Sequence, residues 1–211
     1  MAGFQDIFEI QQSMTVQNRR MVGQQVSRSG QLRVAEYLTS VPWVFTVTPH
    51  NYLYYPQVRN IVQAIDNLDR QLPETIVFSS ANLSWFTAYQ GNMPSGSTPT
   101  LAAAPSTNSQ TLSINVPTGT GYAFKAGDFI MIGSYSYKVK YDVTRATSPV
   151  SVQIHRPIIG SPAINAPVLY GNACTFYMVA EKCPTYTLNP MTNGAFVQWD
   201  GPFVFREDIT A

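Results

Sequence analysis

The sequence predicts an α+β, mainly β protein, built of antiparallel β-sandwich or small-barrel modules with one principal α-helix over about residues 57–72. Three observations lead there. Short runs of β-branched and aromatic residues recur along the chain, separated by Gly, Pro, Asn and Ser. A single apolar stripe of helical period interrupts them. Only 12% of the 211 residues are charged while 45% are hydrophobic, so the polar surface falls to Ser, Thr, Asn, Gln and Tyr. That length suits one large or two small domains, and so weakly charged a surface suits a chain partly covered by other subunits.

The elements follow in order. FQDIFEIQQ, residues 4–12, spaces Phe4, Ile7, Phe8 and Ile10 as a short amphipathic segment. Residues 22–37 read as a polar hairpin that turns at Ser29-Gly30. In VPWVFTVTP, Trp43, Phe45 and Val47 alternate with Val44, Thr46 and Thr48, which makes a strand that Pro49 stops. In YPQVRNIVQAIDNLDRQLP, Val58, Ile61, Val62, Ile65 and Leu68 or Leu72 form one face, with Pro56 in the first turn and Pro73 beyond the end. Asp66, Asp69 and Arg70 take the opposite, solvated face. TIVFSS is a further strand, closing a strand–helix–strand unit around residues 41–80.

Residues 91–121 turn to Gly, Pro, Ser, Thr and Ala and read as a loop or linker, apart from the short strand TLSINV. From residue 122 strands return in quick succession. Gly127-Asp128 marks the entrance to one of them and Gly133-Ser134 the turn into the next. There Tyr135, Tyr137, Val139 and Tyr141 alternate with Lys138, Lys140 and Asp142, the pattern of a half-exposed strand. The expected organisation is an N-terminal arm and hairpin (1–40), a β domain with the helix (41–90 plus parts of the C-terminal region), the 91–121 linker, and a β-rich module (122–211).

No motif carries catalysis, so no enzyme activity, catalytic residue, cofactor or metal is expected. His50 and His155 lack neighbours at metal-ligand spacing, and G-x-S-x-G is absent. Gly119-Thr120-Gly121 reads as a turn because the spacing of a phosphate loop is missing. Cys174 and Cys183 can face one another across a hairpin, though a reduced pair is favoured for a cytosolic product. With a net charge of +1 and no basic run, specific nucleic-acid binding is not expected. No apolar run is long enough to span a membrane, and the N-terminus lacks a signal-peptide pattern, so synthesis in the cytoplasm without export is expected.

The aromatic residues near strand ends and loops suit core or subunit-interface packing. The candidate interface comprises Arg28, Arg33, Trp43, Trp85, Tyr89, Tyr135, Tyr137 and Trp199. The alternative of another class is a carbohydrate-binding β-sandwich, which needs an aromatic platform flanked by Asn, Asp or Gln.

Two segments together resemble tail proteins of tailed bacteriophages: PWVFTVTP with YPQVRNIVQAIDNLDRQLPETIVFS (42–79), and FKAGDFIMIGSYSYKVKYDVTRATSPVSVQIHRPI (124–158). The order of an aromatic strand ending in Thr-Pro, a helix, a strand, a variable stretch and a Gly-Asp module is similar to tail-tip and baseplate proteins of the distal-tail or tube-like type. The resemblance spans roughly half the chain and departs at Asn67-Leu68-Asp69-Arg70, where a Gly-containing turn is usual. The resemblance implies a virion structural protein that forms a homo-oligomeric ring, hexameric by family, and joins the tail tube to baseplate or fibre proteins. A tail-tube initiator, head–tail connector or fibre adaptor is the alternative within virions. Residues 22–37 and 87–121 are the expected inter-subunit arms.

Overall fold

A computed structural model describes residues 3–18, 22–26, 28, 30–36, 41–67 and 72–209. The chain opens with helix α1 (Gly3–Glu9), strand β1 (Gln11–Gln17), and a hairpin of β2 (Val22–Val26) and β3 (Leu32–Glu36). Strands β4 (Val44–Pro49) and β5 (Leu53–Tyr54), helix α2 (Tyr55–Asp66) and β6 (Glu74–Val77) follow. Next come β7 (Thr100–Leu101), β8 (Thr111–Asn115), β9 (Tyr122–Phe124), β10 (Phe129–Ile132) and β11 (Tyr135–Lys138). After these lie β12 (Val143–Thr144), β13 (Val150–Gln153) and β14 (Val168–Tyr170). A 3-10 turn then leads to β15 (Thr175–Lys182), β16 (Tyr186–Met191), β17 (Gly194–Trp199) and β18 (Phe203–Glu207). The protein is mainly β with all strand pairs antiparallel among the described residues.

The chain forms two compact units. The first gathers residues 1–17, 42–86 and 175–211; the second comprises 18–41 and 87–174. The segment 91–121 is not a linker between modules. It lies inside the second unit, where β7, β8 and β13 form a sheet and Leu101, Leu112 and Ile114 are buried. Alternating apolar residues win over the flanking Gly, Pro and Ser there, because each buried side chain removes apolar area from water. The 87–121 stretch, expected as an inter-subunit arm, thus also supplies core residues of its own unit. The 22–26/32–36 hairpin is present, with five paired positions.

The first unit holds a five-stranded sheet in the order β1-β4-β18-β15-β6 and a smaller sheet β16-β17-β5. In β4 the alternation places Phe45 and Val47 inside. Helix α1 presents Phe4, Ile7 and Phe8 to the core, as the spacing of its apolar residues predicts. The Phe8 ring lies 5.8 Å from Phe45, 5.6 Å from Phe78 and 5.1 Å from Phe205, so it knits helix to sheet. The same helix covers the open edge of β6. Gln5 accepts from the Val77 N–H at 2.8 Å and donates to its C=O at 2.9 Å, taking the place of a neighbouring strand.

Helix α2 buries Val58, Val62 and Ile65 and has Pro in its first turn. The described helix runs to Asp66, and its Asn67 cap donates to Gln63 O; the rest of the expected 57–72 span meets residues 68–71, which lie outside the described residues. Leu72 is exposed rather than part of the stripe. Leu68, Asp69 and Arg70 lie outside the described residues. Asp66 is tied down on the polar face, accepting from the Tyr186 hydroxyl at 3.0 Å.

In the second unit β10 pairs with both β11 and β14, β9 with β12, and β8 with β7 and β13. Among the buried residues there is Arg156, whose guanidinium lies 5.1 Å from the Tyr137 ring centre. It donates to the carbonyls of Val41 (2.7 Å) and Ser136 (3.0 Å). One cation thus satisfies two buried carbonyls from distant parts of the unit.

Phe8→Ala removes the ring shared by Phe45, Phe78 and Phe205. It is expected to cost about 3–5 kcal/mol, read as a lower urea midpoint at unchanged m-value.

Candidate functional site

Lys125-Ala126-Gly127-Asp128 is a tight turn in which Asp128 N–H bonds Lys125 O at 3.0 Å and Gly127 adopts φ +100°, a conformation that favours glycine. The Asp128 side chain, expected only as a turn residue, is fully buried. One carboxylate oxygen accepts from Lys125 N–H (2.8 Å) and the other from Gln90 N–H (2.9 Å). Asp128 therefore pegs the loop around Tyr89 to the entrance of β10. Burial pushes its pKa above the ordinary 3.8, and the peptide N–H donors pull it back in part.

The residues proposed for a subunit interface separate by burial. Trp43, Tyr135, Tyr137 and Trp199 lie in the interior, which corrects their assignment to an interface. Trp43 packs 5.7 Å from Phe176, and its N–H donates to the Glu207 carboxylate at 3.0 Å. Trp199 sits 5.3 Å from Tyr186 and 5.0 Å from Phe203. Tyr135 and Tyr137 are held by β10 and Arg156. The β11 alternation fails because Ser136 is buried as well, while Tyr141, beyond the strand, is exposed. Both faces of that short strand are covered, so period-2 exposure does not apply.

Tyr89 is half-buried and pinned: its hydroxyl donates to Ala123 O and accepts from Met93 N–H at 3.1 Å. Arg28 is exposed at the hairpin turn, and the side chain of Arg33 lies outside the described residues. Trp85 remains, and it is 62% exposed.

Trp85 belongs to a wound turn in which Leu83 and Ser84 N–H bond Ser80 O, and Phe86 N–H bonds Leu83 O. Leu83 is buried, and Phe86 packs 4.8 Å from Phe78, so both neighbours anchor the turn. The indole N–H donates to Asn82 O at 2.8 Å, which fixes the ring. Beside it opens a groove of about 550 Å³ lined by residues of α1, β1 and the turn, with Glu9, Gln11, Gln12, His50 and Asn82 among them. A bulge at Gln12 shifts the β1–β4 register there.

A second exposed surface is β16, at the edge of its three-stranded sheet. Leu188 and Met191 on this strand are 42% and 45% exposed. Its apolar residues lie within YTLNPM, where no aromatic residue beyond Tyr186 marks the strand.

The remaining titratable candidates serve structure. His155 Nδ1 accepts from Lys138 N–H at 2.9 Å, so the neutral ring is the bonded form. Burial, aided by Arg156, Lys138 and Lys140, lowers its pKa from 6.5 to about 3. Burial raises the Cys174 thiol pKa, and the Asp128 charge adds to it. No disulfide joins Cys174 and Cys183. Gly119-Thr120-Gly121 is a turn, bound through Thr120 O by the Arg145 side chain at 2.9 Å. Among the described residues, no group of three or more His, Cys, Asp or Glu is placed to hold a metal.

Two outcomes are expected. Asp128→Ala strands two peptide donors and costs roughly 3 kcal/mol in chemical denaturation. The His155 contribution to stability is complete above pH 6.5 and is lost as pH falls toward about 3. His155→Asn, which keeps an acceptor for Lys138 N–H, flattens that acid limb in melts followed from pH 7 to about pH 4. Compared with known proteins, the chain matches no family model and no curated protein.

Proposed function

We propose that this chain is a structural subunit of a phage tail, at the tail tip or baseplate hub, joining the tail tube to baseplate or fibre proteins through subunit contacts. The resemblance of residues 42–79 and 124–158 to distal-tail and tube-like proteins supports the reading. The observation that carries it is the edge strand β16, which ends its sheet while exposing Leu188 and Met191. An edge with apolar side chains is a template for another strand, although Pro190, which lacks an N–H donor, blunts its C-terminal part. Here the other small-sheet edge is only two residues long, so β16 is the longer docking edge of that sheet.

In a ring, one heterologous contact repeats around the axis until the rotation closes. The 12% charge content favours burial of this surface, since little charge must be desolvated. The ring is hexameric by family resemblance, and its place is the virion after synthesis in the host cytoplasm. No catalytic step belongs to this role.

Mass photometry of the purified chain is expected to show a closed oligomer. Leu188→Lys with Met191→Lys raises the concentration for half-assembly by about tenfold or more, with the circular-dichroism melt retained. A chain that stays monomeric at all concentrations sinks the reading.

A further inference from the structure

We propose that the groove beside Trp85 binds a neutral, hexose-containing glycan. The inference stands on this groove alone and does not depend on the tail reading.

Four observations converge on sugar chemistry. First, Trp85 is 62% exposed, yet its position is set by its own turn: the indole N–H is occupied by Asn82 O at 2.8 Å. What the ring offers a ligand is therefore its π face. The electron-rich face of an indole attracts the weakly positive C–H groups on one side of a pyranose ring. A fixed ring also loses little conformational freedom on binding.

Second, the groove around this platform is polar. Glu9, Gln11, Gln12, Ser13, His50 and Asn82 line it, each with groups that bond hydroxyls as donors or acceptors. Gln11 Oε1 is buried there and has no hydrogen-bond partner among the described residues. A buried acceptor left in that state is costly, and a hydroxyl donor from a sugar supplies what it lacks.

Third, Glu9 is pre-positioned. Its Oε1 accepts from Gln5 Nε2 at 3.2 Å, and the Gln5 amide is itself locked to the Val77 backbone. A carboxylate held this way is a strong acceptor for ligand hydroxyls.

Fourth, the charges select among ligands. Among the described residues, no Lys or Arg lines the groove and Glu9 is its one carboxylate. Uronates and nucleic acids would meet repulsion with no compensating cation. A peptide docking through apolar side chains would find few apolar partners. At about 550 Å³ the groove falls in the size range of small-ligand sites, and it is open enough for a chain to extend beyond it.

The test uses the full chain and intrinsic tryptophan fluorescence, with isothermal titration calorimetry as a second readout. Trp43 and Trp199 are buried, so ligand-dependent change comes from Trp85. The probes are maltohexaose, cellohexaose, mannohexaose and chitohexaose, with hexagalacturonate as the acidic comparator. A saturable blue shift with at least one neutral oligosaccharide, in the millimolar range or tighter, is expected, with none for hexagalacturonate. Trp85→Ala weakens binding by about tenfold or more, Trp85→Phe by less, and Gln12→Ala measurably. As Trp85 is mostly exposed, Trp85→Ala keeps the native thermal midpoint. No saturable change with any neutral probe up to about 10 mM overturns the proposal. So does equal binding by Trp85→Ala, or a preference for hexagalacturonate. Mass photometry of the same variant reads assembly separately, so loss of sugar binding with an intact oligomer leaves the structural role standing.

Discussion

Peptide groups removed from water must find partners, and in this chain three buried ionisable side chains meet demands that short strands cannot. Most strands here run two to six residues, and their ladders end quickly. Asp128 takes the N–H groups of Lys125 and Gln90, Arg156 serves the carbonyls of Val41 and Ser136, and Glu207 accepts from Trp43 N–H. Each joins backbone segments far apart in sequence. Their net contribution lies less in the bonds made than in the unsatisfied peptide groups avoided. Gln5 applies the same physics with a neutral amide, lying along β6 as a strand would.

Around these pegs the two units differ in what holds them. The first relies on aromatic packing, with Phe8, Phe45, Phe78, Phe176 and Phe205 in mutual contact. The second relies on small apolar strands and turns, with Tyr89 and Tyr170 4.7 Å apart against the loop that Asp128 secures. Protection of edges is uneven. Beta-sheet edges are normally hidden or blunted, and α1 hides one, whereas β16 carries Pro190, which lacks a donor, beside exposed Leu188 and Met191.

Legibility in the sequence follows the range of the interactions. Strand β4, the α2 stripe and the first hairpin were readable because local periodicity alone decides them. So was the turn at Gly127, where backbone conformation restricts the residue. Burial of individual aromatics was not readable. Trp43 and Trp85 look alike in sequence; one is sealed by Phe45 and Phe176, which lie on β4 and β15, and the other is left out by its turn. Leu72 fits the apolar spacing of α2 yet is exposed, because spacing alone does not say whether a neighbour covers a position. The burial of Asp128 and Arg156 was not legible for a related reason: nothing local distinguishes a solvated charge from one that a folded neighbour encloses. The Trp85 groove needed α1, β1 and residues 80–86 to meet, which no linear pattern announces.

The interrupted first unit has a consequence for how the chain acquires its structure. Its central strand, β18, lies between β4 and β15, so residues 44–49 wait for residues 203–207 before their sheet is continuous. Residues 87–174 complete their own pairings well before that during synthesis. Closing so long a loop carries an entropic penalty that grows slowly with length but delays the contact. The newborn chain therefore holds a finished second unit while the apolar side of β4 is still uncovered. Until then Trp43, Phe45 and Val47 lack the cover that β15 and β18 bring, while α1, which precedes β4 in the chain, already carries the Phe8 ring that packs on Phe45.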